Sequence, residues 1–211
     1  MKKAVNVYEA CDKAIQALNR QNLEAFGKLK MAKWDEVNVI RTVMSVYRTS
    51  AKRARKRYYE VAFEAYLLGL YLCGEDAKKA HQMAEKAITA EWIDDVLSQT
   101  DLLTLYRFDT ETERKAYRLA ETLEVAQDRD YEINKALRYW SQQIGQFAIN
   151  VTDYAMIQAY MDFGVKEVRW VTQKDERVCS ECGPRDEQVF PIDEVPPKHY
   201  GCRCWLAPVL G

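Results

Sequence analysis

The first 183 of the 211 residues contain no proline, and the whole chain holds only eight glycines and two histidines. Proline breaks helix interiors by removing a donor and clashing with the preceding turn, so a long stretch without it permits very long helices. No run of about 18 uninterrupted apolar residues occurs, which excludes a membrane-spanning helix read from sequence. The start, Met1-Lys2-Lys3 and then a polar amphipathic stretch, lacks the apolar block of a signal peptide, so the expected setting is a cytoplasm, or a larger assembly built there. Charge of one sign is also lacking: 31 basic against 32 acidic residues give a net charge of -1, which excludes a globally basic nucleic-acid coat protein. There is no glycine-rich phosphate loop, no H-E-x-x-H and no G-x-S-x-G. The acidic pairs Asp94-Asp95 and Glu111 with Glu113 have no basic or histidine partner at a catalytic spacing. The expectation is a protein that is not an enzyme and takes no small-molecule substrate.

What is present is a helical pattern. Val37, Ile40, Met44, Tyr47, Ala51, Ala54, Tyr58, Val61, Ala65, Leu68 and Leu72 recur at alternating steps of three and four, a heptad stripe over residues 37–72. A helix from near Trp34 to Cys73 would span roughly 60 Å, with Gly74 as its stop. Upstream, Val5 to Leu18 and Leu23 to Met31 read as two shorter helices separated by the polar Asn19-Arg20-Gln21-Asn22. Glu75-Asp76 opens a helix whose buried face, Met83, Ala84, Ala87, Ile88 and Trp92, continues towards Val96 and Leu97. Leu102-Leu103-Thr104-Leu105-Tyr106 is ambiguous. Thr110-x-x-Glu113 resembles a capping box, with Ala116, Leu119, Ala120 and Leu123 facing inward behind it. Ile133, Leu137, Trp140, Ile144, Phe147 and Val151 predict a last long helix ending at Gly164.

Beyond Gly164 the pattern changes, and all five prolines lie there, in the last 28 residues. Glu167–Thr172, Gln188–Phe190 and Trp205–Val209 read as short strands. The fold class is therefore mainly α: a long-helical region, residues 1–164, followed by a small α+β module, residues 165–211. So short a module needs a staple or must pack on the helices. Cys179-x-x-Cys182 is followed, after sixteen residues, by His199-x-x-Cys202-x-Cys204. Soft thiolates with an imidazole favour a structural zinc ion, with Cys179, Cys182, His199 and Cys202 as ligands and Cys204 as the substitute for Cys202. The alternatives are reduced buried cysteines or a disulfide pair; a thioredoxin-like use would require a βαβ setting.

Trp170-Val171-Thr172, Asp175, Arg177-Val178-Cys179-x-x-Cys182, Pro196-Pro197-x-His199-x-x-Cys202-Arg203-Cys204 and Pro208-Val209 form an ordered series. Together they resemble the C-terminal signature of the phage head morphogenesis family, the Mu F-like minor head proteins, over roughly residues 145–210. Where that family often carries an Arg-Thr-Glu-like triplet before the tryptophan motif, this sequence has Asn150-Val151-Thr152-Asp153. The resemblance implies a minor capsid protein in few copies at the portal vertex, acting in head assembly and in genome retention or delivery. The implied partners are the portal protein and other head proteins, and the implied location is the virion, in the head interior or at the portal vertex, assembled in a host cytoplasm. A reading from a different class is a zinc-module nucleic-acid-binding protein outside any virion.

Between positions 41 and 57 lie Arg41, Arg48, Lys52, Arg53, Arg55, Lys56 and Arg57, and no acidic residue. All occupy non-core positions of the stripe. They are candidates for contact with packaged double-stranded DNA without sequence preference, or with an acidic protein surface. The plain alternative is a solvated helix face matched by Asp94-Asp95, Glu111 and Glu113. Cys11 and Cys73 read as buried thiols, His81 as a surface or packing residue, and Trp34, Trp92 and Trp140 as core anchors. Trp170 and Trp205 are expected to cover the metal module.

Overall fold

The structure is a computed structural model that describes residues 7–34, 38–99, 107–174, 178–199 and 201–211. It is mainly helical with a small antiparallel sheet at its C-terminal end. Six helices come first: α1 (Glu9–Lys30), α2 (Val39–Leu72), α3 (Ala77–Ala87), α4 (Ala90–Ser98), α5 (Phe108–Val125) and α6 (Arg129–Phe163). Strands β1 (Glu167–Val171), β2 (Val189–Pro191) and β3 (Trp205–Val209) follow. Among the described residues no helix is long and apolar enough to cross a membrane.

Helix α2 is the centre of the bundle, packed against α1, α5 and α6. From Met44 to Ala65 every residue of the heptad stripe is buried. A second line, Val43, Ser50, Ala62, Tyr66 and Leu70, is buried beside it, because neighbours cover this helix on more than one side. The helix starts later than the stripe implies. The Asn38 side chain accepts from the Arg41 backbone N–H at 2.8 Å and sets the first turn at Val39, so Trp34 lies outside it and Ile40 is exposed. Val37 and Leu102–Tyr106 fall outside the described residues. Helices α2 and α6 approach closely at Gly69, where a Cβ would stand 2.8 Å from that of Ala159.

Three sequence expectations need correction. Helix α1 is continuous through Asn19–Asn22, since Asn22 is buried and its Oδ1 accepts from Ser50 Oγ, which accepts from Trp140 Nε1 at 2.8 Å. This polar chain ties α1, α2 and α6 together inside the core. The single helix expected after Gly74 is two, because Ile88 is extended and Thr89 caps a new start through Trp92 N–H at 3.2 Å. Helix α5 begins at Phe108 without a side-chain cap, so Thr110 and Glu113 are inside it and form no capping box. Burial of Phe108 among Tyr58, Trp140 and Phe147 fixes that end instead. Of the three tryptophan anchors only Trp140 is fully buried; Trp34 and Trp92 are half-buried against the core edge.

Helix α6 is 35 residues long, capped by Asp128 at one end and closed by Gly164 at φ 93° at the other. The left-handed glycine turns the chain into β1, with Val165 N–H bonded back to Tyr160 at 2.9 Å. Strand β1 is central in the order β2-β1-β3, pairing Val168 with Phe190 on one side and Trp170 with Leu206 on the other. Alternation puts Val168 and Trp170 on one buried face, and both join the same continuous hydrophobic core as the helices.

Candidate metal centre

Two loops of the sheet module bring the five expected donors together. The first, between β1 and β2, turns back through Cys182 N–H to Cys179 Sγ at 3.3 Å and Gly183 N–H to the Cys179 carbonyl at 2.9 Å. A short 3-10 turn, Gly183–Arg185, follows with Pro184 inside it. The second loop runs from Lys198 into β3. Gly201, at φ 71°, reverses it between His199 and Cys202, and Cys202 N–H bonds the His199 carbonyl at 3.1 Å.

The donor atoms fall in two triads that share Cys182: Cys179 with Cys182 and His199, and Cys182 with Cys202 and Cys204, all within 4.8 Å inside each triad. His199 Nε2 lies 3.0 Å from Cys179 Sγ and 3.2 Å from Cys182 Sγ. Cys182 and Cys202 sulfurs are 3.7 Å apart, close to the roughly 3.8 Å edge of a tetrahedron with Zn–S bonds of about 2.3 Å. Together these residues line a cavity of about 180 Å³ with Gln173, Val178, Gly201 and Arg203. All six cysteines are unbridged, and Cys182, Cys202 and Cys204 are buried.

Electrostatics distinguishes the thiols. The Cys182 backbone N–H holds the Cys179 thiol below its ordinary pKa. Burial pushes Cys182 and Cys202 up, so their thiolates are costly without a cation beside them. Three buried thiols, one activated thiol and an imidazole converging on one small cavity fit a soft divalent metal.

The second ligand loop is bolted to the helices by residues with no motif of their own. Lys198 Nζ reaches Asp153 Oδ1 of α6 at 2.7 Å, both side chains being about 15 % exposed. The Tyr8 hydroxyl lies 2.7 Å from the same Asp153 oxygen and 3.0 Å from the Cys204 carbonyl, and accepts from Lys198 at 3.1 Å. The buried Gln146 accepts from Gly201 N–H at 2.8 Å, and Tyr160 donates to the Leu206 carbonyl at 2.9 Å. Gln146 and Asp153 are seven residues apart, two turns along one face of α6, and that spacing was their available signal. The module thus both packs on the helices and has room for a staple. Trp170 is fully buried beneath Phe190 and the Arg185 guanidinium, while Trp205 is half-buried.

The basic stretch is split. Arg55 pairs with Asp109 at 2.9 Å and Asp94 at 3.1 Å, Arg48 with Glu113 at 3.3 Å, and Arg57 with Glu60 at 2.6 Å. Among the described residues Arg41, Lys52, Arg53 and Lys56 have no ion pair, and all four are exposed. Glu111 is instead buried against Arg114 and Lys115. Cys11 and Cys73 are buried thiols, pushed up by burial to about 12 and about 11. His81 is exposed, 3.5 Å from Glu85 and edge-on to Phe63.

No curated protein and no solved structure matches the chain. Residues 121–207, which hold the whole of α6, the three strands up to Ala207 and all five candidate donors, match the family model described as Phage Mu protein F like protein, so this segment carries the Mu F-like resemblance.

Proposed function

We propose that the chain is a structural minor head protein of a tailed phage, placed at the portal vertex and acting in head assembly and genome retention or delivery without bond chemistry. The observation that carries it is the coincidence of the Mu F-like segment, residues 121–207, with the Cys/His cluster that knits that segment to the helices. A structural zinc ion would be held by Cys179, Cys182, His199 and a thiol from Cys202 or Cys204. With four protein ligands zinc keeps no open position for water, which suits a staple. Coexpression with the portal and major head proteins, followed by isolation of assembled heads, tests the proposal. The protein should copurify with heads at a small, fixed copy number; heads that form normally without retaining it would sink the idea.

The four exposed bases without ion pairs support a contact with packaged duplex DNA. If each neutralises one phosphate, log K should fall with log salt at a slope of about -4. Charge reversal of Lys52, Arg53 and Lys56 together should flatten that slope by about 3. Absence of duplex binding even at low salt would remove DNA from the list of partners. Duplex binding with no retention in heads would favour the nucleic-acid-binding protein outside the virion.

A further inference from the structure

We infer that the fourth position of the metal centre is shared by two exchangeable thiols, Cys202 and Cys204, and belongs to neither alone. The inference rests on the zinc reading above. A tetrahedral ion takes four donors, and the two loops supply five. Cys179, Cys182 and His199 form one compact triad, so three positions are assigned. The remaining one opens on the side of Cys182 where both Cys202 and Cys204 place their sulfurs within 4.8 Å of it. Both are buried, at 2 % and 5 % exposure, so neither is a surface thiol that happens to lie near.

Each of the two also has its own backbone support. Cys202 follows Gly201, whose N–H is held by Gln146 of α6, and its own N–H bonds the His199 carbonyl. Cys204 has its carbonyl beside the Tyr8 hydroxyl, and the Arg203 carbonyl before it accepts from Gln173 at 2.8 Å. Loss of one sulfur therefore leaves the other's main chain in place. Coordination number forbids using both at once: a tetrahedral ion held by Cys179, Cys182 and His199 has one position left for a single sulfur. The unused residue stays a neutral thiol. Exchange is then a balanced ligand swap in which one Zn–S bond breaks as the other forms, and the thiol proton passes to the departing sulfur with no change of oxidation state. Such a swap gives the ion an associative path in and out of a buried site, and keeps the staple closed when one thiol is alkylated.

Cobalt(II) loaded in place of zinc into the full chain reports on the ligand set directly. Cys202→Ser and Cys204→Ser should each bind one ion per chain, with the same tetrahedral d–d bands as the wild type and affinities lowered by no more than about tenfold. The double variant should lose more than about a hundredfold, as Cys182→Ser does, with helical content unchanged in all. If one single variant loses as much as the double while the other is silent, the position has one owner and the inference fails. Two ions per wild-type chain, one in each triad, overturn it as well. A wild-type chain that binds neither cobalt nor zinc overturns the zinc reading itself, and the shared position with it.

Discussion

Chelation of the zinc-loaded protein should melt the sheet module while leaving most of the helical bundle folded. Structural zinc contributes on the order of 10 kcal/mol to the folding of small modules. The sheet has little else of its own: β2 is three residues long, and Cys182, Cys202 and Cys204 are part of its buried core. Without a cation, those sulfurs remain as closely packed thiols between two loops joined by few backbone bonds. The helices keep a separate source of stability, because Tyr47, Tyr58, Phe108 and Trp140 pack together between α2, α5 and α6, a cluster that includes none of the candidate donors. The expected result is therefore selective. Limited trypsin digestion should cut at Lys166, Arg169 or Arg185 within minutes after metal removal, while far-UV circular dichroism keeps its helical signal. Cys182→Ser should reproduce the pattern without chelator. Unchanged protection of residues 165–211 after zinc is measurably lost would show that packing alone holds the sheet.

The parts of this architecture that obey local rules were legible in the sequence. Heptad spacing from Met44 to Ala65 reports which side of α2 is buried, since any partner must cover that side. Gly164 ends α6 where the periodicity stops, and the two Cys/His groups that the sequence sets at short spacing come within 4.8 Å inside each triad. What failed was reading polar residues as boundaries. Asn22 looked like part of a break, yet its amide is buried because Ser50, 28 residues away, gives it a hydrogen bond. Thr110 had the right neighbour for a capping box, but burying Phe108 outweighed the cap and moved the N-cap from Thr110 to Arg107. Thr89, an equally good capping residue, is masked in the sequence because the apolar pattern runs through it. The supports of the site were out of reach for a different reason. Tyr8 acts on a main-chain carbonyl 196 positions away and Gln146 on an amide 55 away, and a backbone partner leaves no mark of its own in the sequence.

Asp153→Ala should strongly destabilise the second ligand loop although it lies outside the candidate donors and the hydrophobic core. The Asp153 carboxylate is the only acid among the described residues that the Lys198 ammonium reaches, and the pair is mostly shielded from water. Removing one partner leaves the other as an uncompensated charge, which costs about 3 kcal/mol for a pair of this burial, near the lower end for fully buried pairs. The Tyr8 hydroxyl loses its closer acceptor at the same time, leaving it the Cys204 carbonyl. Both effects act on the loop that carries His199, so the loss reaches the metal centre through the next residue. Asp153→Ala is expected to lower the melting temperature of the metal-loaded protein by several degrees and to speed metal release to a chelator about tenfold. Lys198→Met, which removes the charge but keeps an apolar stem over the Tyr8 ring, should cost less, because Asp153 retains the Tyr8 hydroxyl as a donor. In the double variant the two losses should fall short of their sum by 1 kcal/mol or more, roughly the coupling of a contacting charged pair. Additive losses would mean that Asp153 and Lys198 act separately, and a metal release rate unchanged by Asp153→Ala would mean that the loop is held by the metal alone.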